Sequence, residues 1–330
     1  MGIPINHRGK FVKNIFIVNP ISGNGNYKEV IEWVHNHFKN NKQDYEVHIT
    51  EYPGHAKEIA TRFGDDVILY AVGGDGTAHE VLNGMNLNAQ LAIIPSGTGN
   101  DFYRMISKDK TISRVLESTI YGQVKTIDIG KAAGSYFLNC LNLGIDARIN
   151  LRVNNARSGF IPRKLSYATY ALLEVMKKYA QTIDVTIDGV TTTTNALLAS
   201  FMNGKWYGGG FMSGPFADYS DGLLEMSLVT DMPRWKIFKV LPKYFLGKHT
   251  DLSVVTYKQV NKVKVSSSSL IVMGVDGEVF EDYSVDIEVL PKALNLRVPF
   301  EQNWLLFKNI CYNKQAKEDI SYEKLNKIKL

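Results

Sequence analysis

Residues 67–77 read Val67-Ile68-Leu69-Tyr70-Ala71-Val72-Gly73-Gly74-Asp75-Gly76-Thr77, an unbroken apolar run that ends in a glycine turn around one acid. A near-continuous apolar run of this length predicts a strand buried on both faces, as in a parallel sheet covered by helices. The spacing over 77–85 predicts a helix directly after the turn. The same pairing of strand and helix repeats on either side. Segments 14–18, 45–50 and 91–94 read as strands, and 28–38, 56–63 and 111–121 as helices. In the first of these helices Val30, Ile31, Val34 and Phe38 share one face. Strands separated by helices imply right-handed crossovers and a three-layer α/β domain with a parallel sheet.

From about Lys125 the rhythm changes. Strands are expected over 126–129, 136–143, 182–187, 196–203, 224–229, 263–265, 270–275, 285–289 and 294–298, with turns such as Asp188-Gly189 between them. Helices are expected over 164–179 and 233–245. The expected architecture is an α/β nucleotide-binding domain over 11–131 followed by a mainly antiparallel β-sandwich over 132–302. A Lys-rich helix at about 303–320 is expected to pack back onto the first domain.

Composition narrows the class. The chain has 330 residues, 45% hydrophobic and 22% charged, which excludes a disordered chain and suggests two domains. A net charge of +5 favours an anionic partner but falls short of a nucleic-acid footprint, so no nucleic acid is expected. Two cysteines, Cys140 and Cys311, make no disulfide framework and fit a cytoplasmic setting. Met1 to Lys10 does not read as a signal peptide, and no apolar run approaches the ~20 residues of a membrane span. Membrane contact is therefore expected to be peripheral.

Three strand ends open into turns of small, donor-rich residues: Asn19-Pro20-Ile21-Ser22-Gly23, Gly73-Gly74-Asp75-Gly76-Thr77 and Ser96-Gly97-Thr98-Gly99-Asn100-Asp101. Ligands of parallel sheets bind beyond the carboxyl ends of the strands, so these turns should meet in one crevice. Glycine lets the backbone approach a phosphate and turn its N–H groups inward, and a helix starting there adds its positive end. Taken singly, each turn is equally well a tight connection; together they point to a nucleotide phosphate site. No P-loop run occurs, the dinucleotide fingerprint fails where Lys28 stands for its third glycine, and the protein-kinase signature set is absent.

The pattern resembles the diacylglycerol kinase catalytic-domain family within the diacylglycerol and sphingosine kinase superfamily. Val72 to Thr77 with Glu80-Val81-Leu82-Asn83-Gly84 looks like its nucleotide signature, and the turns at Asn19 and Gly97 match its other two loops in order. Asn139 with Gly144, Asn203 with Gly208-Gly209-Gly210, Pro215, Asp221-Gly222 and Asp276-Gly277-Glu278 follow the family order, over roughly 15–299. His79 stands where the family usually has Asn.

The resemblance implies an NAD-kinase-like fold and phosphoryl transfer from ATP to a lipid hydroxyl, diacylglycerol giving phosphatidic acid. It implies ATP contacts at Asn19, Pro20, Ser22, Gly23, Thr50, Gly73, Gly74, Asp75, Gly76, Thr77 and Thr98, with Asp75 orienting the phosphates or holding the nucleotide's Mg²⁺. It implies Glu278 as proton acceptor with Asp276 beside it, and a structural Mg²⁺ on Asp218, Asp221 and the Leu223 carbonyl, linked to the crevice through Asp128 and Asp101. It further implies a lipid acceptor at a membrane surface and a possible homodimer.

Other readings of the same residues stay open. Asp276-Gly277-Glu278 also reads as a hairpin turn, and Asp218 with Asp221 as a polar turn. Arg157 to Tyr179 reads either as a basic membrane approach or as a core-facing amphipathic helix. Trp206-Tyr207 and Phe211-Met212 could line the acceptor slot or fill the sandwich core. The Gly-Gly-Asp-Gly-Thr run is shared with NAD kinases, so a soluble acceptor, or a catalytically silent nucleotide-binding regulator, is the alternative.

Overall fold

The structure, a computed structural model, describes residues 12–23, 27–41, 43–97, 99–109, 111–144 and 180–300. Thr98, the expected helices over 164–179 and 303–320, and the basic stretch from Arg157 to Tyr179 lie outside the described residues.

Strands β1 (Lys13–Val18), β2 (Tyr45–Ile49), β3 (Val67–Gly73) and β4 (Gln90–Pro95) form a parallel sheet in the order β2-β1-β3-β4. Every residue of β3 is buried, as its unbroken apolar run requires. Helices α1 (Tyr27–Asn41), α2 (His55–Ala60), α3 (Asp75–Leu82), α4 (Tyr103–Ile106) and α5 (Ile112–Ile120) connect these strands and lead on from the last of them. α1 buries Val30, Val34 and Phe38, each four residues after the last, so one stripe meets the sheet. Within the core Phe16 stacks on Tyr70, and Phe38 meets Phe16 edge-on.

The second half is antiparallel apart from one return. It comprises β5 (Gln123–Ala132), β6 (Ser135–Phe137), β7 (Cys140–Gly144), β8 (Gln181–Ile187), β9 (Val190–Met202), β10 (Leu224–Thr230), α6 (Arg234–Phe245), β11 (Val255–Val260), β12 (Lys262–Val275) and β13 (Glu278–Val298). The first half of β9 pairs with β8 and its second half with β7. β12 does the same, meeting β8 through Lys264–Ser266 and β7 through Met273–Val275. Two long strands thus pass between layers and close the sandwich over a core that includes Phe137, Phe201, Met226, Val265, Met273 and Ile287. The expected turn at Asp188-Gly189 is present, both residues having positive φ (51° and 78°) as a two-residue hairpin demands.

Two expected pairs of short strands are in fact single long ones. Segments 263–265 and 270–275 belong to β12, and 285–289 and 294–298 to β13. Register shifts between Ser266 and Ile271, and between Leu290 and Leu294, break the alternation without ending the strand. The division expected at 131/132 also omits a return of the chain. The end of β13 pairs in parallel with β4 through Asn295–Arg297, and Leu294, Leu296 and Val298 join the first core. Arg297 is buried there, donating to the carbonyls of Thr119 and Ile120 and to Gln90 Oε1. The two halves therefore share one continuous thirteen-stranded sheet. Among the described residues no helix is long and apolar enough to cross a membrane.

Candidate active site

The three glycine turns meet. The backbone N–H of Asn19, just past β1, donates to the Val72 carbonyl (2.9 Å), while its Nδ2 donates to Thr77 Oγ1 (3.1 Å). Its Oδ1 accepts from the N–H of Ile21 (3.0 Å), which curls the Asn19-Pro20 turn back on itself. From the third turn, the N–H groups of Ser96 and Gly97 donate to the Gly73 carbonyl at 2.9 and 3.1 Å. The turns approach so closely that side chains are excluded. A Cβ on Gly23, whose φ is +75°, would stand 1.8 Å from the Ser96 carbonyl oxygen. On Gly97 it would stand 2.6 Å from the Gly74 Cα and 3.0 Å from Ser22 Oγ. Glycine is required here because backbone touches backbone.

Above this contact the space opens. Among the described residues, nothing beyond its chain neighbours and its own helix lies within 4 Å of the Cβ position of Gly76, in the first turn of α3. Gly74 caps that helix through its carbonyl, which accepts from the N–H groups of Thr77 and Ala78, with no side-chain cap. Unpaired amides at a helix start, beside glycine turns, suit an anion. Ser96 Oγ and Asn100 Oδ1 are buried at the convergence with no hydrogen-bond partner among the described residues, as expected where a polar ligand or water completes a site.

The expected nucleotide residues divide by role. Thr77 is buried and its hydroxyl is held by Asn19, so it belongs to the loop framework. Asp75 faces the third turn: its Oδ2 accepts from the N–H of Asp101 (2.9 Å) and its Oδ1 from that of Phe102 (3.3 Å). Burial and then the charge of Asp101 push its carboxyl up to about 6, against the pull of those two N–H groups. Thr50 follows β2, its N–H bonded to the Val18 carbonyl, at the same sheet edge as Asn19. Asp101 in turn joins the first half to the second. Its Oδ2 accepts from the N–H of Gly209 (2.7 Å), and its Oδ1 pairs with Arg104 at 3.2 Å.

The second turn of α3 meets Asp276-Gly277-Glu278, the hairpin turn between β12 and β13. Asp276 and Gly277 both have positive φ (47° and 96°), so the hairpin reading of this tripeptide is correct. The two carboxylates differ sharply. Asp276 is 3% exposed and accepts from the N–H groups of Leu138 (2.7 Å), Asn139 (3.0 Å) and Cys140 (2.8 Å). Glu278 is 52% exposed. His79, 1% exposed on α3, lies between them, with Nδ1 3.5 Å from Asp276 Oδ2 and Nε2 3.4 Å from Glu278 Oε2. Burial opposes a charge on the imidazole, but the two carboxylates outweigh it and push the ring up to about 9. The same contact, followed by the opposing effect of burial, holds Glu278 below the usual carboxylate range. Asn83 fixes the end of α3 against β6, its Oδ1 accepting from the Tyr136 N–H (2.8 Å) and its Nδ2 donating to the Tyr136 carbonyl (2.9 Å).

Asp218 and Asp221 lie in a tight acidic loop. Asp218 Oδ1 accepts from the N–H (3.0 Å) and hydroxyl (2.6 Å) of Ser220, and Asp221 Oδ1 from the N–H of Leu223 (3.0 Å). Asp128, buried beside them, accepts from the N–H groups of Gly222 (2.6 Å) and Lys292 (2.7 Å). Burial raises the Asp221 carboxyl, the Leu223 N–H lowers it, and Asp218, Asp128 and Glu225 raise it further. This is a crowd of hard oxygen donors with excess negative charge, and its chemistry fits Mg²⁺. Among the described residues no three His, Cys, Asp or Glu side chains converge to hold a metal by themselves, so the Leu223 carbonyl and waters would have to complete the shell.

Tyr207, whose reading was open, is buried and packs with Phe211 on a third core, while Asn139 and Asn203, which follow the family order, make hydrogen bonds within the fold. Asn139 Nδ2 donates to the Trp206 carbonyl, and Asn203 Nδ2 to those of Leu138 and Asp128. His79, placed between the two carboxylates, is absent from the expected set. Its one signal was that it stands where the resembled family has Asn.

Residues 13–132 match the family described as the diacylglycerol kinase catalytic domain, and 139–298 the YegS C-terminal NAD kinase beta sandwich-like domain. A diacylglycerol kinase of Mycobacterium tuberculosis is 29% identical over 255 residues, covering 74% of this chain and 81% of its own. A diacylglycerol kinase of Bacillus subtilis is 28% identical over 273 residues, covering 79% of this chain and 88% of its own. A crystal structure of a diacylglycerol kinase from Bacillus anthracis superposes with a TM-score of 0.66 at 22% identity, covering 88% of this chain and 97% of that one. That structural likeness speaks for the fold alone.

Proposed function

Because the chain belongs to the diacylglycerol kinase/YegS family of lipid kinases, we propose that it transfers the γ-phosphoryl group of ATP to a free hydroxyl of diacylglycerol or a related lipid, giving phosphatidic acid. The observation that carries this reading is the placement of α3. Its first turn opens onto the converged glycine loops, and its second turn touches the hairpin that bears Glu278. A nucleotide whose phosphates lie over the first turn therefore has a carboxylate within one helical turn of its reactive end.

In this reading the N–H groups around Gly23, Gly74, Gly76 and Gly97 hold the phosphates, and Asn19, Asp75 and Thr77 keep the loops in register. Pro20, Ser22, Thr50 and Thr98 complete the nucleotide side. Glu278 takes the hydroxyl proton as the acceptor oxygen attacks the γ-phosphorus, and the bond to the β-phosphate breaks to release ADP. Asp276 is saturated by backbone donors, so it positions the hairpin and His79. The imidazolium of His79 keeps Glu278 ionised and ready to accept a proton. Asp218, Asp221 and the Leu223 carbonyl would hold a structural Mg²⁺, whose charge would neutralise the acidic loop. The protein works in the cytoplasm, visiting the membrane where its acceptor resides.

The test is a radiolabelled-ATP assay against a panel of lipid hydroxyls in mixed micelles, with NAD as a soluble acceptor. Labelled phosphatidic acid is the expected product, and label in NAD alone would overturn the reading. Glu278→Gln is expected to lower kcat by about 10²–10⁴-fold while ATP binding persists. Full turnover in that variant would remove Glu278 from the chemistry.

A further inference from the structure

We propose that α6 is the element by which the protein seats itself on an anionic lipid bilayer. This deepens the lipid kinase reading and rests on it for the identity of the surface. α6 is apolar on two opposite sides. One side, Ile237, Val240 and Tyr244, is buried against a core that includes Leu197, Met202, Tyr207 and Val229. A surface helix with one face so buried should present polar residues outward. Instead Trp235, Phe238, Phe245 and Leu246 are 62%, 44%, 45% and 56% exposed. At 100° per residue these four fall on the side away from the buried stripe.

Charge identifies the occupant. Between Asp231 and Asp251 there is no acid, but there are Arg234, Lys236, Lys239, Lys243 and Lys248. Five positive charges in one short stretch equal the net charge of the whole chain, +5. Lys236, Lys239 and Lys243 flank the outward aromatics, and Lys239 Nζ lies 5.1 Å from the centre of the Trp235 ring. Bulky aromatics facing out, bordered by lysines, form an interfacial helix whose rings enter the headgroup layer while ammonium groups meet lipid phosphates. A second protein would have to supply an acidic rim around an aromatic socket. A bilayer with acidic headgroups supplies both as a continuous surface.

The helix also ends in the right place. Phe245 stacks edge-on against Phe211 with ring centres 5.0 Å apart, and the N–H of Met212 donates to the Phe245 carbonyl (3.3 Å). The loop carrying Phe211 begins at Gly208 to Gly210, where Gly209 binds Asp101 of the third nucleotide turn. Seating α6 on a bilayer therefore brings the rim of the crevice to the surface where a lipid hydroxyl emerges.

The test uses the full chain with vesicles of phosphatidylcholine, with and without phosphatidylglycerol. The wild type is expected to cosediment with the anionic vesicles and to be released by salt. Trp235→Ala/Phe238→Ala and Lys236→Gln/Lys239→Gln/Lys243→Gln are each expected to weaken that binding by about tenfold or more. Both variants should keep their thermal midpoint, Mg-ATP binding and turnover of a short-chain diacylglycerol dissolved in micelles. Unchanged vesicle binding in both variants would overturn the proposal. So would loss of a dimer on substitution without loss of vesicle binding, which would assign the face to a second copy. If α6 governs vesicle binding but no lipid in the panel is phosphorylated, the kinase reading fails and the docking helix stands. If micellar diacylglycerol is phosphorylated and vesicle binding ignores α6, the reverse holds.

Discussion

The two turns of α3 are built from opposite materials. The first turn meets the nucleotide loops, where backbone lies against backbone and glycine is required because a methyl group would collide. The second turn meets the 276–278 hairpin, where side chains do everything: a buried imidazole between one saturated carboxylate and one half-exposed carboxylate. The difference predicts two kinds of sensitivity. A backbone cradle should fail on the addition of one carbon and show little response to pH. A side-chain clamp should tolerate isosteric replacement sterically but respond to charge.

The largest effect is expected at Gly23→Ala. The added Cβ would stand 1.8 Å from the Ser96 carbonyl oxygen on a residue with φ of +75°, so the first and third turns must separate. Strain of this kind costs about 1–3 kcal/mol, and Mg-ATP affinity measured by calorimetry should fall by roughly a hundredfold. Unchanged affinity would mean that the loops do not jointly form the site.

Asp276→Asn comes next. The carboxylate accepts three backbone N–H bonds, and the amide offers one fewer acceptor and a donor facing donors. Loss of stability by about 2–4 kcal/mol is expected by denaturant unfolding, together with low turnover. A variant as stable as the wild type would show that the hairpin is held by something else.

The smallest effect, and the most specific, is expected at His79→Asn. Removing the imidazolium lets burial raise Glu278, so the acid limb of the kcat/KM profile should move to higher pH, with activity at pH 8 changed by about tenfold or less. Stability gives an independent sign. Folding lifts His79 from its ordinary 6.5 to about 9, so its stabilising contribution is complete below about 6.5 and is lost as pH rises through about 9. The wild type should therefore lose thermal stability over that window, and His79→Asn should lose less. Parallel curves would show that His79 is not charged in the folded protein.

Much of the first turn's surroundings was legible from residues 67–77 because glycine marks where backbone must come close, and the buried run before it marks the strand that aims it. That these strands run parallel follows from the alternation of strand and helix; their order β2-β1-β3-β4 does not. The second turn was far less legible. His79 meets partners almost two hundred positions downstream, and only the fold brings them together. β13 read as two short strands because its register break at 290–294 hid its continuity. That same continuity carries the chain from the acid hairpin back to β4, so the strand that begins at Glu278 ends inside the nucleotide domain's core. Asp75 read as a phosphate or cation contact, and nothing local shows that its oxygens also accept from the N–H groups of Asp101 and Phe102.

The most direct test titrates Mg-ATP into three proteins side by side and measures phosphorylation of diacylglycerol in each. Gly97→Ala, whose added carbon would stand 2.6 Å from the Gly74 Cα, should lose binding and therefore turnover. Glu278→Gln should bind like the wild type and transfer almost nothing. The opposite pattern, with nucleotide binding intact in Gly97→Ala and lost in Glu278→Gln, would contradict a backbone cradle for the phosphates joined by one helix to a side-chain base.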